Sequence, residues 1–383
     1  MDIIVYGLGG FEKIVERSLR IENNIIAYSD SFSTIEVYKG IPFIIKEKIH
    51  LLTFDYLIIA ISNIEIGQEV KRELKDKYNV KEDKIIVFSV YYNRLLSQKI
   101  DKVFLNRNHE IENVVLGISH AVCGINVSYM RNCINLAVRS QDLYYNKFSF
   151  DLLCQRTDPL RIKNVIIDMY DYNYFNYDVS MLKNCVSNYY TSGGICISEH
   201  NFKLNKWFDY SFDSMLKRNN INALSSSEKD FISLLFDVRK WVEEDYSGYD
   251  EIYKNRISKN APLPSKKFVN GIIKDRYTNT ISENISVFWK LCNEISINAP
   301  NANIILVLIP RFCTMEYALE PHLREWKEEF YETIALYQSE FNYRFIDYKS
   351  NANISNNSYF YNDVNHLNDI GSKAFTSLLL NDL

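Results

Sequence analysis

Two segments far apart in the sequence have the side chains that serine-dependent acyl chemistry requires. Asp363 precedes His366 by three positions in the segment FYNDVNHLNDIGSKAF, and Ser119 follows the apolar run VVLGI. A serine hydroxyl is a poor nucleophile until a base removes its proton, and an imidazole can do so at neutral pH. We therefore predict that Ser119 is a nucleophile, that His366 is its general base and that Asp363 orients the imidazole.

Each of these residues also has an ordinary structural interpretation. On that alternative, Asp363 is a surface acid, His366 is a half-buried structural residue and Ser119 is a turn serine, while Asn368 caps the last helix. The combination favours the triad, because the serine follows a predicted strand and the Asp-x-x-His pair precedes a predicted helix. One turn of chain brings an aspartate back over the imidazole.

The order of predicted elements indicates an α/β protein with two domains. The first ninety residues alternate short β-rich runs with helical patterns, which predicts a Rossmann-like parallel sheet flanked by helices. The alternation lapses after about residue 92 and resumes with the strand VVLGIS. Because 383 residues exceed one ordinary core, we predict one domain over residues 1–110, linker included, and a second over 111–383.

The second domain shows five strand signals separated by helical patterns, which predicts a three-layer α/β/α arrangement. A mostly polar or helical stretch over about residues 180–300 interrupts the pattern, and we predict that it is a helical insertion over the site. Open α/β sheets bind ligands at the carboxyl ends of their strands. Ser119 follows the first strand of this domain and is therefore expected to face the ligand crevice.

A glycine-rich turn near the N-terminus could hold a phosphate. Gly7, Gly9 and Gly10 lie between a predicted strand and a helix, and Asp30 ends the next strand. Such a turn lets backbone amides approach a pyrophosphate, and the acid can accept ribose hydroxyls. The pattern has Glu12 at its third glycine position, which weakens pyrophosphate binding. A nucleotide or nucleotide-sugar site and a docking module without a ligand both stay open, and an NAD-dependent oxidoreductase rests on this turn alone.

Composition narrows the range of partners and locations. The net charge is −4 with dispersed lysines and arginines, so no nucleic-acid surface is expected. No apolar stretch approaches the length of a membrane span, and the start has no signal-peptide features, so we expect a cytoplasmic location. The seven cysteines have no C-x-x-C spacing, which favours reduced thiols and no metal site. Oligomeric state is not indicated.

Two segments of the second domain resemble sequence blocks of the SGNH, or GDSL-like, hydrolase superfamily. These are GISHAVCGIN and DVNHLND, and the resemblance covers roughly residues 112–383. Their wording looks closest to members encoded with bacterial surface-polysaccharide genes. Residues 1–90 resemble the Rossmann-like domains at the N-termini of sugar acyltransferases. The resemblance implies an esterase or O-acyltransferase acting on a carbohydrate or another acylated small molecule, with no cofactor required for the ester chemistry.

The resemblance also implies where an oxyanion hole would lie. One donor is the backbone N–H of Ser119, and a second comes from the block NLAVRSQDL, at Ser140 or its neighbour Arg139. The third donor in the family is an asparagine in a G-x-N-D block, which this sequence lacks, and Asn173 is the candidate replacement. This departure keeps a second hypothesis open, namely a non-catalytic glycan-biosynthesis module with a degenerate SGNH site.

Overall fold

The protein is described here by a computed structural model, and the residues it describes form six ranges. They are residues 1–32, 35–92, 110–139, 141–177, 225–237 and 269–383. Ser140 and most of the predicted insertion lie outside these ranges.

The described strands and helices alternate along the chain. The strands are β1 (Asp2–Tyr6), β2 (Asn24–Ser29), β3 (Val37–Tyr38), β4 (Ile41–Pro42), β5 (Tyr56–Ile59), β6 (Ile85–Val87), β7 (Asn113–Leu116), β8 (Cys133–Asn135), β9 (Asn164–Asp168), β10 (Asn303–Leu308) and β11 (Arg344–Asp347). The α-helices are α1 (Gly10–Ser18), α2 (Ile64–Tyr78), α3 (Phe88–Tyr92), α4 (Ser119–Gly124), α5 (Leu143–Cys154), α6 (Ser226–Leu235), α7 (Thr278–Asn298), α8 (Cys313–Phe341), α9 (Ala352–Ser355) and α10 (Asp369–Asp382). Short 3₁₀ turns and one π-helical segment, Val269–Lys274, complete the set.

The chain forms two compact units, and the first contains the described residues 1–92 and 225–237. Its four parallel strands follow the order β2-β1-β5-β6. The strands are continuous apolar runs such as DIIVY and YLII, as expected for a sheet buried on both faces. Helix α6 lies within the predicted insertion, yet it packs on this unit, where Asp237 N–H donates to the carbonyl of Ser18.

The second unit contains a five-stranded parallel sheet with the order β11-β10-β9-β7-β8. If the strands of this unit are numbered 1 to 5 from β7 to β11, the order read from the β8 edge is 2-1-3-4-5, a doubly wound arrangement. Right-handed crossovers then place α5, α7 and α8 on one face and α4 on the other. The packing of α7 on α5 agrees with this. Helix α10 follows the last strand and lies on the face of α4, against which it packs. The predicted α/β fold class is confirmed.

The sheet order fixes where a ligand can approach the second unit. The strand order reverses beside β7, because the chain moves from β7 to one neighbour, β8, and then crosses to the other neighbour, β9. The carboxyl ends of two such strands border a crevice that suits ligand binding. Ser119 follows β7 and Asp168 ends β9, so the predicted nucleophile lies at this point. Helix α7, at the end of the predicted insertion, is the crossover helix before β10.

Within the described ranges, no helix combines sufficient length with sufficient apolar character to cross a bilayer.

Candidate active site

The structure brings the three predicted catalytic residues into one hydrogen-bonded chain. Ser119 Oγ lies 2.9 Å from His366 Nε2. On the other side of the imidazole, Nδ1 lies 2.9 Å from Oδ2 and 3.0 Å from Oδ1 of Asp363. A nucleophile, a base and a carboxylate that orients the base are therefore within the reach that activation of a serine requires.

A glycine determines how closely the nucleophile turn approaches the neighbouring strand. Gly117 has φ +147°, a conformation that side-chain-bearing residues rarely adopt. A Cβ at this position would lie 2.6 Å from Cβ of Asp168 and 3.0 Å from Cβ of Ala121. The absence of a side chain thus lets the chain leave β7, turn sharply and begin α4 at Ser119.

Replacing Gly117 with alanine is expected to lower the melting temperature and the activity together. The strained φ and the contact with Asp168 should cost about 2 kcal/mol or more. Gly10→Ala is the matched control, because a Cβ there meets nothing within 4 Å. Thermal unfolding followed by circular dichroism measures both variants. A Gly117→Ala protein as stable as Gly10→Ala would contradict this view of the turn.

The turn that holds Asp363 and His366 is tied to the chain around it. Asp363 Oδ1 accepts the backbone N–H groups of Asn365, at 2.7 Å, and His366, at 2.9 Å. Asn368 caps α10 by accepting the N–H of Gly371 at 2.9 Å. The capping role anticipated for Asn368 is thus observed, and it occurs together with the triad geometry.

The carboxylate of Asp363 remains charged over the range in which the imidazole must act. Burial tends to raise its pKa, but the hydrogen bond and charge of His366 outweigh burial, so the pKa of Asp363 lies below its ordinary value. The stabilising contribution of this pair is therefore present at neutral pH and is lost as pH falls through the lowered pKa. Loss of activity near pH 6 would then not come from Asp363.

Changing Asp363 to asparagine should lower kcat for an ester substrate by at least about 100-fold at neutral pH, because the amide favours the wrong imidazole tautomer. KM should change little, since the carboxylate touches His366 and no substrate group. Steady-state kinetics of Asp363→Asn against Asp369→Asn, a change at a half-buried salt bridge with Lys373, would measure this. Equal kcat values in the two variants would contradict the orienting role.

A second histidine packs directly against the triad. His120 is 3% exposed, and its ring centroid lies 5.6 Å from that of His366 and 5.0 Å from that of Tyr170. Burial, reinforced by the positive charge of Arg311, holds the pKa of His120 well below its ordinary value. This histidine is therefore a neutral side chain beside the base, and it adds no positive charge there at physiological pH.

The predicted oxyanion donors differ in what the structure shows of them. Within the described ranges, the N–H of Ser119 has no hydrogen-bond acceptor, so it is available to a developing oxyanion. Ser140 lies outside the described residues. Asn173 is buried in the turn after β9, where its carbonyl accepts the N–H of Asn176. Donor roles for Ser140 and Asn173 stay predictions.

Asn146 was not anticipated from the sequence. Its side chain joins the segments that follow three strands, β7, β8 and β9. The side chain is fully buried. Its Oδ1 accepts the N–H of Gly117 at 2.7 Å and the side-chain amide of Gln141 at 2.8 Å. Its Nδ2 donates to the carbonyl of Asp142 and to the hydroxyl of Tyr174. The nucleophile turn is therefore bonded to the segments that follow β8 and β9.

A buried ionic network near the site was also not anticipated from the sequence. Arg311 Nη1 lies 2.5 Å from Asp171 Oδ2, and Lys349 Nζ lies 2.6 Å from Asp171 Oδ1 and 2.9 Å from Glu316 Oε2. Burial tends to raise the pKa of Asp171, but the two cations outweigh it and lower that pKa to about 2. The network joins the carboxyl ends of β9, β10 and β11. The N–H of Phe312, beside Arg311, donates to Val364 in the His366 turn.

The glycine turn of the first unit is largely bonded within the protein. Gly7 has φ +99°, and its N–H donates to the carbonyl of Ser29. The carboxylate of Asp30 accepts the N–H groups of Leu8, at 3.1 Å, and Phe32, at 2.8 Å. Asp30 thus has a structural role in closing this turn.

Three further observations bear on the nucleotide site predicted at this turn. Gly9 caps α1, and Gly10 begins it. Glu12 in the first turn of α1 is fully buried and pairs with Lys39 at 2.8 Å. A nucleotide or nucleotide-sugar site at Gly7, Gly9, Gly10 and Asp30 stays a prediction, and the buried acid remains the feature that opposes a pyrophosphate there.

In the part of the chain that the structure describes, no three His, Cys, Asp or Glu side chains form a group that could hold a metal ion. No disulfide joins the cysteines within the described ranges. Burial raises the pKa of Cys133 and that of Cys154 to about 12, so neither is a thiolate at neutral pH.

Comparison with known proteins adds little to this geometry. No protein-family model and no curated protein sequence matches the chain. One similar solved structure, provisionally described as a platelet activating factor from Streptococcus pneumonia, has a TM-score of 0.37 at 10% identity, covering 76% of this chain and 92% of that chain. Phospholipase A1 from Streptomyces albidoflavus NA297 has a TM-score of 0.31 at 13% identity, covering 71% and 99%. Because these values are low, functional inference rests on the site itself.

Proposed function

We propose that the protein is a serine-dependent enzyme of ester chemistry, an O-acyl esterase or O-acyltransferase of the SGNH type. The observation that carries this proposal is the hydrogen-bonded chain from Ser119 Oγ through His366 to the carboxylate of Asp363, with both links near 2.9 Å. Its position at the carboxyl ends of β7 and β9 supports the proposal, because that is where an open α/β sheet offers a ligand crevice.

The geometry supports a two-step reaction. Ser119 Oγ attacks the acyl carbonyl carbon while its proton passes to His366 Nε2, and the N–H of Ser119 donates to the oxyanion. As the intermediate collapses, the bond to the leaving alcohol breaks and the alcohol takes the proton from His366. Water or a second hydroxyl then attacks the acyl-enzyme with His366 again as the base. Water completes hydrolysis, whereas a sugar hydroxyl completes acyl transfer.

The carbohydrate substrate and the cytoplasmic location belong to the same proposal. Both rest on the resemblance of GISHAVCGIN and DVNHLND to bacterial surface-glycan enzymes. A nucleotide-linked sugar at the first unit would fit this setting. No cofactor is needed for the ester chemistry itself.

The experiment that separates the two reactions uses p-nitrophenyl acetate with and without monosaccharide and nucleotide-sugar acceptors. Release of p-nitrophenol reports acyl-enzyme formation, and mass spectrometry of the acceptors reports transfer. We expect release by the wild type and none above background by Ser119→Ala. Acetylated acceptor would assign a transferase, and acetate alone an esterase. Absence of release and of acetylated acceptor would favour the non-catalytic glycan-binding module.

A further inference from the structure

Asp168 is a buried carboxylate that contacts the nucleophile turn from the neighbouring strand. It ends β9 and is fully buried. Its Oδ2 accepts the N–H of Ala121 at 3.0 Å, and its Oδ1 accepts the N–H of Tyr170 at 2.9 Å. The two oxygens of one side chain therefore bond the first turn of α4 to the turn that follows β9.

The backbone on both sides of Ser119 lies against this carboxylate. Before the serine, Gly117 approaches so closely that a Cβ there would lie 3.2 Å from Asp168 Oδ2. After the serine, Ala121 donates its N–H to the same oxygen. Ser119 is thus carried by a short segment whose two ends contact one side chain.

The chemistry of this contact requires a carboxylate. An ionised carboxylate has two acceptor oxygens and no donor, so it can satisfy two N–H groups at once. An asparagine has one acceptor oxygen, and its NH₂ group would face the second N–H, donor against donor. Arg311, whose positive charge acts on Asp168, is itself bonded to Asp171. Burial raises the pKa of Asp168 to about 7, while the backbone N–H groups that it accepts favour the ionised form.

We propose that Asp168 is a positioning residue for the nucleophile, whose carboxylate holds the segment from Gly117 to Ala121 so that Ser119 Oγ stays within hydrogen-bond distance of His366. This inference rests on the proposed function, because positioning matters only if Ser119 reacts. The side chain touches the backbone that carries the nucleophile and no reacting atom. Displacements of about 1 Å at such a site can reduce rates by about 100-fold.

The test compares wild type, Asp168→Asn and Asp158→Asn in the rate of labelling by a fluorophosphonate probe and in ester hydrolysis. Asp158 is the matched control, since its carboxylate also accepts a backbone N–H, that of Leu160, but at the opposite end of β9. For Asp168→Asn we expect the labelling rate constant and kcat to fall by at least about 10-fold, with KM within about twofold of wild type. Asp158→Asn should match wild type.

The rate constant of labelling separates mispositioning from loss of fold. Unfolded protein lowers the amount that can be labelled, but it does not slow the labelling of the molecules that remain folded. If Asp168→Asn does not fold, Asp168→Ser decides the question, because it removes the charge without opposing a donor to Tyr170 N–H. A wild-type labelling rate in either folded variant would overturn the inference. An unlabelled wild type would instead overturn the proposed function.

Discussion

Replacing Ser119 with alanine is expected to lower kcat for an ester substrate by at least about 1,000-fold while leaving the melting temperature unchanged. The hydroxyl is half-buried and has one described side-chain partner, Nε2 of His366, so its removal disturbs little packing. The first step of the proposed reaction forms a bond to this oxygen, and the second step breaks it. The measurement is steady-state hydrolysis of p-nitrophenyl acetate, with thermal unfolding of the same samples.

Combining this change with His366→Ala sharpens the test. Residues that act as one unit are strongly non-additive, so the double variant should be no slower than the slower single variant, within about threefold. Ser128→Ala is the matched control, because that hydroxyl bonds to Asn126 and lies outside the triad. Losses that multiply, or a Ser119→Ala enzyme with more than about a tenth of wild-type activity, would show that the two residues do not form a catalytic pair.

Replacing Arg311 with methionine is expected to destabilise the protein by about 3 kcal/mol, because it removes one of the two cations that pair with a buried carboxylate. Arg311 is 1% exposed, and its guanidinium bonds to Asp171, which is 2% exposed. Without the arginine, Asp171 keeps Lys349 as its one described cationic partner. Urea unfolding followed by circular dichroism would measure the loss.

Arg276→Met is the matched control for this prediction. Arg276 pairs with Glu329 through two hydrogen bonds, but both side chains are substantially exposed, so the expected loss is about 1 kcal/mol or less. Activity of Arg311→Met should also fall, because Phe312 beside it donates to Val364 in the turn that carries His366. If the two variants were equally stable, the network would not support this end of the sheet.

The meeting of Ser119, His366 and Asp363 in one hydrogen-bonded chain could be predicted because its signals are local. Ser119 directly follows an apolar strand, and the Asp-x-x-His spacing lies within one turn of chain, so each half of the site is readable in a short segment. The parallel sheets were predictable for the same reason, since alternating strand and helix patterns lead to them. Ser119 and His366 are 247 residues apart in sequence. They meet because the end of β7 and the turn that holds Asp363 and His366 lie at the same edge of the sheet.

The supporting residues could not be predicted because their partners are distant in sequence. Asp171 and Arg311 are separated by 140 residues, and Asp171 and Lys349 by 178. The sequence shows that each of these three residues follows a predicted strand. It does not show which of the charged side chains will pair. Asp168 lies within the strand pattern NVIIDMY, which says nothing of its bonds to Ala121 and Tyr170. The internal bonding of Asp30 depends on a turn geometry that glycines permit without specifying.

The most decisive measurement is mass spectrometry of the intact protein after treatment with a fluorophosphonate probe, followed by peptide mapping. An activated serine is expected to give one covalent adduct, located on Ser119, and His366→Ala should abolish it. An unlabelled protein, or an adduct on a serine other than Ser119, would contradict the assignment of Ser119, His366 and Asp363 as a catalytic triad.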